Sequence, residues 1–191
     1  MHSDPDLPLV QATLRGELRA FDTLVERHRD VVFRVVARIV RSDDEADDVT
    51  QDTFLRAFHR LERYRGEGPF RTWLLRIAHN TAVTHVTQTG RRATQPLHRP
   101  EDDVVAAVAQ GTPAEQLERS ERLSRLDTKI KGLSRGHRAV LVLRDIEGLS
   151  YDEIARVTET PIGTVKARLH RAREEFIDVL RRNTYDWELP R

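Results

Sequence analysis

Apolar positions recur at three- and four-residue steps along most of this chain, and no useful stretch alternates residue by residue. That is the period of helices buried along one face. Leu9, Val10, Leu14 and Leu18 predict a helix over 7–18 with Gly16 as its weak point. Phe21, Leu24, Val25, Val32, Val36 and Ile39 predict an amphipathic helix over 19–41, with Glu26, Arg27, Arg29 and Arg34 on the other face. Ser42 with Glu45 three residues on is a capping-box signal. It opens a helix with Val49, Leu55, Phe58 and Leu61 inside. Two glycines and a proline make Tyr64–Phe70 a loop. From Arg71 to about Thr87 a further helix turns Trp73, Leu74, Ile77 and Val83 to a core. The period is lost between Gly90 and Pro113, where Pro96, Pro100, Gly111 and Pro113 interrupt it, which predicts a flexible linker. A highly charged helix over 114–126 follows. Ser134 then caps a helix packed through Val140, Leu141, Leu143 and Ile146, and Gly148 stops it. The fold class is all-α: two small helical bundles, of about four helices each, joined by the linker.

The sharpest local pattern runs from Gly148 to Phe176. Ser150 and Glu153 form a second capping box, so a short helix starts at Tyr151. Thr160 followed by Pro161 signals a second start. Two helices joined by a few residues form a helix-turn-helix. In the second helix Val165, Leu169, Ala172 and Phe176 make one apolar stripe. Lys166, His170 and Arg173 make a neighbouring stripe with Ala167 and Arg171 beside it, and Arg168 adds a further cation. A helix docked by one face and cationic on another suits a major groove. An ordinary solvated basic helix would carry the same charges.

Composition narrows the rest. The chain has 191 residues, 33% of them charged and 38% hydrophobic, with a formal net charge of only +1, so nucleic-acid binding needs local patches rather than a global basic field. There is no cysteine, hence no disulfide framework and no thiolate metal site. No apolar run approaches the ~18 residues of a membrane span. The start of the sequence lacks the basic and apolar regions of a signal peptide, so a cytoplasmic, soluble protein is expected. The eight histidines are scattered, no phosphate loop or nucleophile motif appears, and no enzyme, cofactor or metal site is expected. Asp43, Asp44, Glu45, Asp47, Asp48 and Asp52 cluster at one helix start, more acid than capping requires, and suit a basic partner. Aromatic residues interleaved with Arg65, Arg71 and Arg76 have the composition of a single-strand platform. Trp73 among them suits a core position as well.

Taken together the segments resemble a family. Asp47-Asp48-Val49-Thr50-Gln51-Asp52-Thr53-Phe54-Leu55-Arg56-Ala57-Phe58 looks like the conserved region 2 helix of bacterial sigma factors. The run Phe70-Arg71-Thr72-Trp73-Leu74-Leu75-Arg76-Ile77-Ala78-His79-Asn80-Thr81-Ala82 is similar to the segment that reads the −10 promoter element. Leu141 to Ala155, then Pro161 to Arg173, looks like conserved region 4. The order resembles the extracytoplasmic-function (ECF) layout, group 4 of the sigma-70 family, over about residues 18–92 and 117–180. The implied domains are region 2 over 1–92, a linker over 93–116 and region 4 over 117–191.

The resemblance implies roles. Asp48, Gln51 and Asp52 would meet the β′ clamp helices of core RNA polymerase, with region 4 at the β flap. Tyr64, Phe70, Arg76 and Asn80 would hold non-template bases of the −10 element. Lys166, Ala167, His170 and Arg171 would face bases of the −35 element, with Thr164, Arg168 and Arg173 on phosphates. Promoter DNA and an anti-sigma factor are the other implied partners. Ser134 stands where many relatives have proline, and Thr84, His85 and Thr87 stand where relatives usually carry an acid and more basic residues, which bears on which −10 sequence is read. A stand-alone helix-turn-helix regulator of duplex DNA is the alternative. It leaves the acidic helix and the Trp/Arg segment unexplained, and it requires a dimer interface for palindromic sites.

Overall fold

In the computed structural model, residues 4–40, 42–92, 125–126 and 128–182 are described, and every regular element among them is helical. The first half contains α1 (Leu7–Leu14), α2 (Leu18–Ala37), α3 (Asp43–His59), a 3₁₀ turn (Leu61–Arg63) and α4 (Phe70–Arg92). The second contains α5 (Arg135–Leu141), which runs on through a π-helical turn (Val142–Ile146), then α6 (Tyr151–Thr158) and α7 (Ile162–Arg182). The expected linker, and most of the charged helix expected over 114–126, lie outside the described residues.

The expected helix over 7–18 breaks at its weak point. Gly16 adopts φ +98°, and the Glu17 N–H reaches back to the Ala12 carbonyl at 3.1 Å, closing α1 before α2 begins. Leu14 and Leu18, expected inside, are exposed as a result. Ser42 caps α3 by accepting from the Glu45 N–H at 3.2 Å, and α4 runs past Thr87 to Arg92.

Leu24, Val32, Val35 and Val36 of α2 pack on Phe54 and Ala57 of α3 and on Phe70, Leu74 and Leu75 of α4. Phe70 is fully buried, with its ring 5.6 Å from those of His28, Tyr64 and Trp73. Trp73 itself is half-buried against this core. Two expected interior residues of α3 are outside instead: Leu55 is 55% and Phe58 39% exposed. Val49, Thr50, Thr53, Phe54 and Ala57 supply the buried stripe, and residues 55 and 58 lie off it. Val83 of α4 is also exposed.

In the second half, Leu133, Val140, Leu143, Leu149, Ile154, Val165 and Leu169 close a small core. The helix expected to end at Gly148 first widens. Glu147 N–H bonds to Val142 O at 3.0 Å, five residues back; Gly148 then turns the chain at φ +72°, and the Leu149 N–H closes the end on Leu143 O at 2.9 Å. This i→i+5 register turns Ile146, expected to pack, outward at 39% exposure. The halves are not separate bodies: α4 packs on α6, and the buried residues of both halves form one continuous core.

Candidate nucleic-acid interface

Three surfaces carry chemistry, and the contact between the halves connects two of them. The first is the outer face of α3. Asp48 and Gln51 are exposed, and Asp52 is half-exposed with its carboxylate accepting from Arg56 Nε at 2.9 Å. Next to these polar groups lie the exposed Leu55 and Phe58, the latter edge-on to Phe21 at 5.0 Å. Periodicity placed these two side chains inside; the structure puts them on the acidic face, making it an acidic rim beside an apolar centre. That composition suits protein docking.

The second surface is a groove where the end of α3 meets α4. Arg56, Arg60, Arg63 and Arg76 line it together with Trp73, Asn80 and Thr84. Four guanidinium groups around an aromatic face and an amide suit a nucleic-acid strand, with phosphates on the cations and a base on the ring. Arg56, Arg60 and Arg63 escaped the sequence reading because they converge only when the 3₁₀ turn folds the end of α3 toward α4. Of the four residues expected here, Arg76 and Asn80 are in the groove; Tyr64 and Phe70 are core residues at 9% and 0% exposure. Neither ring is open to a base in this arrangement. Burial, and then the Asp4 carboxylate, hold the Tyr64 phenol well above its ordinary pKa of 10.0.

The groove is partly occupied. Glu159, from the turn between α6 and α7, places Oε1 2.8 Å from Arg76 Nε and 3.2 Å from Asn80 Nδ2. Those bonds lower its carboxyl pKa. Glu159 has φ +53°, a left-handed conformation that costs a non-glycine residue about 1 kcal/mol. Around it, Thr72 donates to Glu153 Oε1 at 3.0 Å, while Arg34 (3.0 Å) and Arg71 (2.8 Å) grip the carboxylate of Glu147, which is only 3% exposed. His79 faces Ala139, Val142 and Leu143 across the same seam, and burial lowers its pKa from 6.5.

The third surface is α7. Its docked stripe is as expected: Val165, Leu169 and Ala172 are buried and Phe176 packs against the core. Thr164, Lys166, Ala167, His170 and Arg171 are exposed. Two cations expected on phosphates are engaged elsewhere. Arg168 is half-buried across Gly136, and Arg173 forms a two-point pair with Asp145, at 3.0 and 2.5 Å. Upstream the α6 capping box is complete: Ser150 Oγ accepts from Glu153 N–H at 3.3 Å and Glu153 Oε2 accepts from Ser150 N–H at 2.8 Å. Lys166 and Arg144 lie over the Tyr151 ring, 5.6 and 4.9 Å from its centre.

Comparison with known proteins places the chain in a family. Residues 24–92 match Sigma-70 region 2 and residues 123–176 match Sigma-70, region 4. The RNA polymerase sigma-H factor of Pseudomonas aeruginosa is 37% identical over 182 residues, covering 90% of this chain and 91% of that protein. The chain belongs to the sigma-70 family and is an ECF-type RNA polymerase sigma factor. The ECF RNA polymerase sigma-E factor of Haemophilus influenzae is 36% identical over 88% of this chain and 92% of its own length. Among solved structures, CnrH in complex with the cytosolic domain of CnrY aligns with a TM-score of 0.68 at 29% identity, covering 94% of this chain and 99% of that one. The sigma factor RpoE of Bartonella quintana, in complex with the anti-sigma factor NepR, shares the fold at a TM-score of 0.69 and 20% identity, covering 85% of this chain and 98% of that one. A stand-alone duplex-DNA regulator is thereby set aside. The acidic helix and the Trp/Arg segment, which that alternative left unexplained, are the matched region 2.

Proposed function

We propose that this sigma factor docks on core polymerase through α3, holds the melted −10 strand in the arginine-lined groove, and reads the −35 duplex with α7. On α3, Asp48, Gln51 and Asp52 meet basic residues of the β′ clamp helices, and Leu55 and Phe58 supply the apolar centre of that contact. In the groove, Arg76 and Asn80 hold the non-template strand with Arg56, Arg60 and Arg63 on its phosphates. Tyr64 and Phe70 serve the site from within the core by shaping the loop between them. On α7, Lys166, Ala167, His170 and Arg171 face bases and Thr164 faces a phosphate. Region 4 as a whole rests on the β flap. The chain acts as an initiation factor and not as an enzyme, and it works in the cytoplasm with the polymerase. Among the described residues no helix is long and apolar enough to cross a membrane.

The observation that carries this reading is Glu159 in the groove. A carboxylate that accepts from Arg76 and Asn80 marks both side chains as anion receptors on an exposed face. The same observation makes the arrangement described here a closed one, with region 4 laid over the −10 groove. Binding to polymerase draws the halves apart and exposes it. CnrH and RpoE were each solved in complex with another protein, the cytosolic domain of CnrY and the anti-sigma factor NepR, which supports an anti-sigma factor as the partner that keeps this chain from polymerase. The test is transcription in vitro with core polymerase, with Arg76→Ala and Asp52→Lys beside the parent. Arg76→Ala is expected to block strand opening while core affinity holds, and Asp52→Lys to reduce core affinity. Full opening by Arg76→Ala holoenzyme would sink the groove assignment.

A further inference from the structure

The loop Tyr64–Phe70 is held from outside. Asp4, ahead of α1, places Oδ2 2.7 Å from the Tyr64 hydroxyl and 2.7 Å from the Phe70 N–H, so one carboxylate oxygen touches both ends of the loop. The same hydroxyl lies 2.7 Å from the Gly68 carbonyl, which shares its proton and draws the loop's far side inward. Phe70 opens α4, where an N–H has no partner within the helix and the helix dipole favours negative charge. Asp4 therefore caps in trans the helix that carries Arg76 and Asn80. Leu7 lies beneath Gly66, which turns the loop at φ +70°.

These bonds are surplus to docking α1. That helix is already fixed by the buried Val10 and by Asp6, whose carboxylate meets Arg27 at 2.5 Å and His28 at 2.7 Å. Beyond a backbone bond to Asp6 at 3.2 Å, the hydrogen bonds of the Asp4 side chain go to the loop and the head of α4. Between the two buried ends, Arg65, Gly66, Glu67 and Pro69 are exposed. A short exposed arc with clamped ends presents its side chains in one arrangement rather than many, which lowers the ordering cost of binding.

We propose that Asp4 is a positioning residue for −10 recognition, clamping both ends of the loop Tyr64–Phe70 so that its exposed arc and the head of α4 meet the melted strand preorganised. This rests on the reading that the loop and α4 hold that strand. Asp4 does not touch the DNA; its charge is spent on the Tyr64 hydroxyl and the Phe70 N–H.

The experiment uses full-length chain in reconstituted holoenzyme. The probe is a single-stranded non-template −10 oligonucleotide carrying 2-aminopurine at each position in turn. Core affinity and −35 duplex affinity are measured in parallel. Asp4→Ala is expected to weaken strand binding about three- to tenfold, the scale of losing one ordinary hydrogen bond, and to alter the fluorescence at the positions nearest the loop. Core and −35 affinities stay at parent values. Asp4→Asn, whose amide oxygen still accepts from Phe70 N–H, restores most of the loss. Tyr64→Phe keeps the ring and removes the hydroxyl, so it reproduces part of the Asp4→Ala effect and remains informative if Asp4→Ala folds poorly. Arg76→Ala is the control. If Arg76→Ala weakens the strand and neither Asp4→Ala nor Tyr64→Phe does, Asp4 positions nothing. If Asp4→Ala lowers core, −35 and −10 binding together, its role is stability alone. If Arg76→Ala leaves strand binding intact, the −10 reading itself fails and this inference with it.

Discussion

A cation's environment separates a reader of bases from a support. Arg171 and Arg173 are two positions apart on α7, yet Arg171 is exposed while Arg173 is engaged by Asp145. Arg171→Ala is therefore expected to flatten preference at one −35 base pair by about 1–3 kcal/mol, the size of a bidentate arginine–guanine contact. Arg173→Ala should leave base preference unchanged and cost at most ~1 kcal/mol of stability, because its pair is half-exposed. Promoter activity over a randomised −35 library, beside denaturant unfolding, separates the two. At this scale residue type was legible and direction was not. Tyr64 and Phe70 have the chemistry of stacking residues, but their rings fill the region 2 core. Leu55 and Phe58 have the chemistry of core residues, but the α3 stripe passes them by.

Helix starts were legible where the cap closes locally; at Ser134, the expected cap of α5, the side chain makes no capping bond. Ser150 and Glu153 stand three residues apart, and the structure closes both bonds between them. Burial pushes the Glu153 carboxyl up, but the Ser150 N–H and O–H and the Thr72 hydroxyl outweigh it and leave its pKa lowered. Ser150→Ala should cost about 1 kcal/mol, seen as a lower denaturant midpoint with an unchanged slope. The π turn was not legible, since its defining bond, from Glu147 N–H to Val142 O, joins backbone groups and leaves no side-chain signal. The left-handed Glu159 is equally hidden, because glycine is the residue that usually announces that conformation. Glu159→Gly relieves the strain and removes the carboxylate from the groove. Its expected outcome is unfolding at the same or a higher temperature, with tighter binding of the free protein to −10 single strand. A lower melting temperature with unchanged strand affinity would show that Glu159 serves the turn alone.

At the scale of the whole molecule, the closed arrangement depends on few groups. Glu147 is the most buried of them, and removing its carboxylate leaves Arg34 and Arg71 facing each other. Glu147→Ala is expected to weaken closure by on the order of 2 kcal/mol, read as a longer distance between fluorophores placed in the two halves. Acid should act in the same direction. His79 has a lowered pKa because the seam buries it, with Asn80 and Glu159 raising it and Arg168 lowering it. A group whose protonation the closed form resists makes that form lose stability as pH falls below the ordinary value of 6.5. Glu159, lowered by Arg76, adds a loss at still lower pH, as its own carboxyl protonates. The interdomain distance should therefore grow as pH drops through 6.5, and His79→Gln should remove that first step.

The sequence by itself determined most of the helices, the caps at Ser42 and Ser150, and the docked stripe of α7. Each of these follows from side-chain spacing within one turn or one heptad, and such spacing is written in the chain. Tertiary structure alone decided which face of α3 is exposed, that Arg56, Arg60, Arg63 and Arg76 share a groove, and that Asp4 reaches the loop Tyr64–Phe70. It also decided that Glu147 meets Arg71 and Arg34, 76 and 113 residues away in the chain, and that Glu159 meets Arg76, 83 residues away. Those pairings depend on how helices cross, and the crossing is set by the summed packing of the buried residues of both halves, a sum that no local pattern of charges reveals.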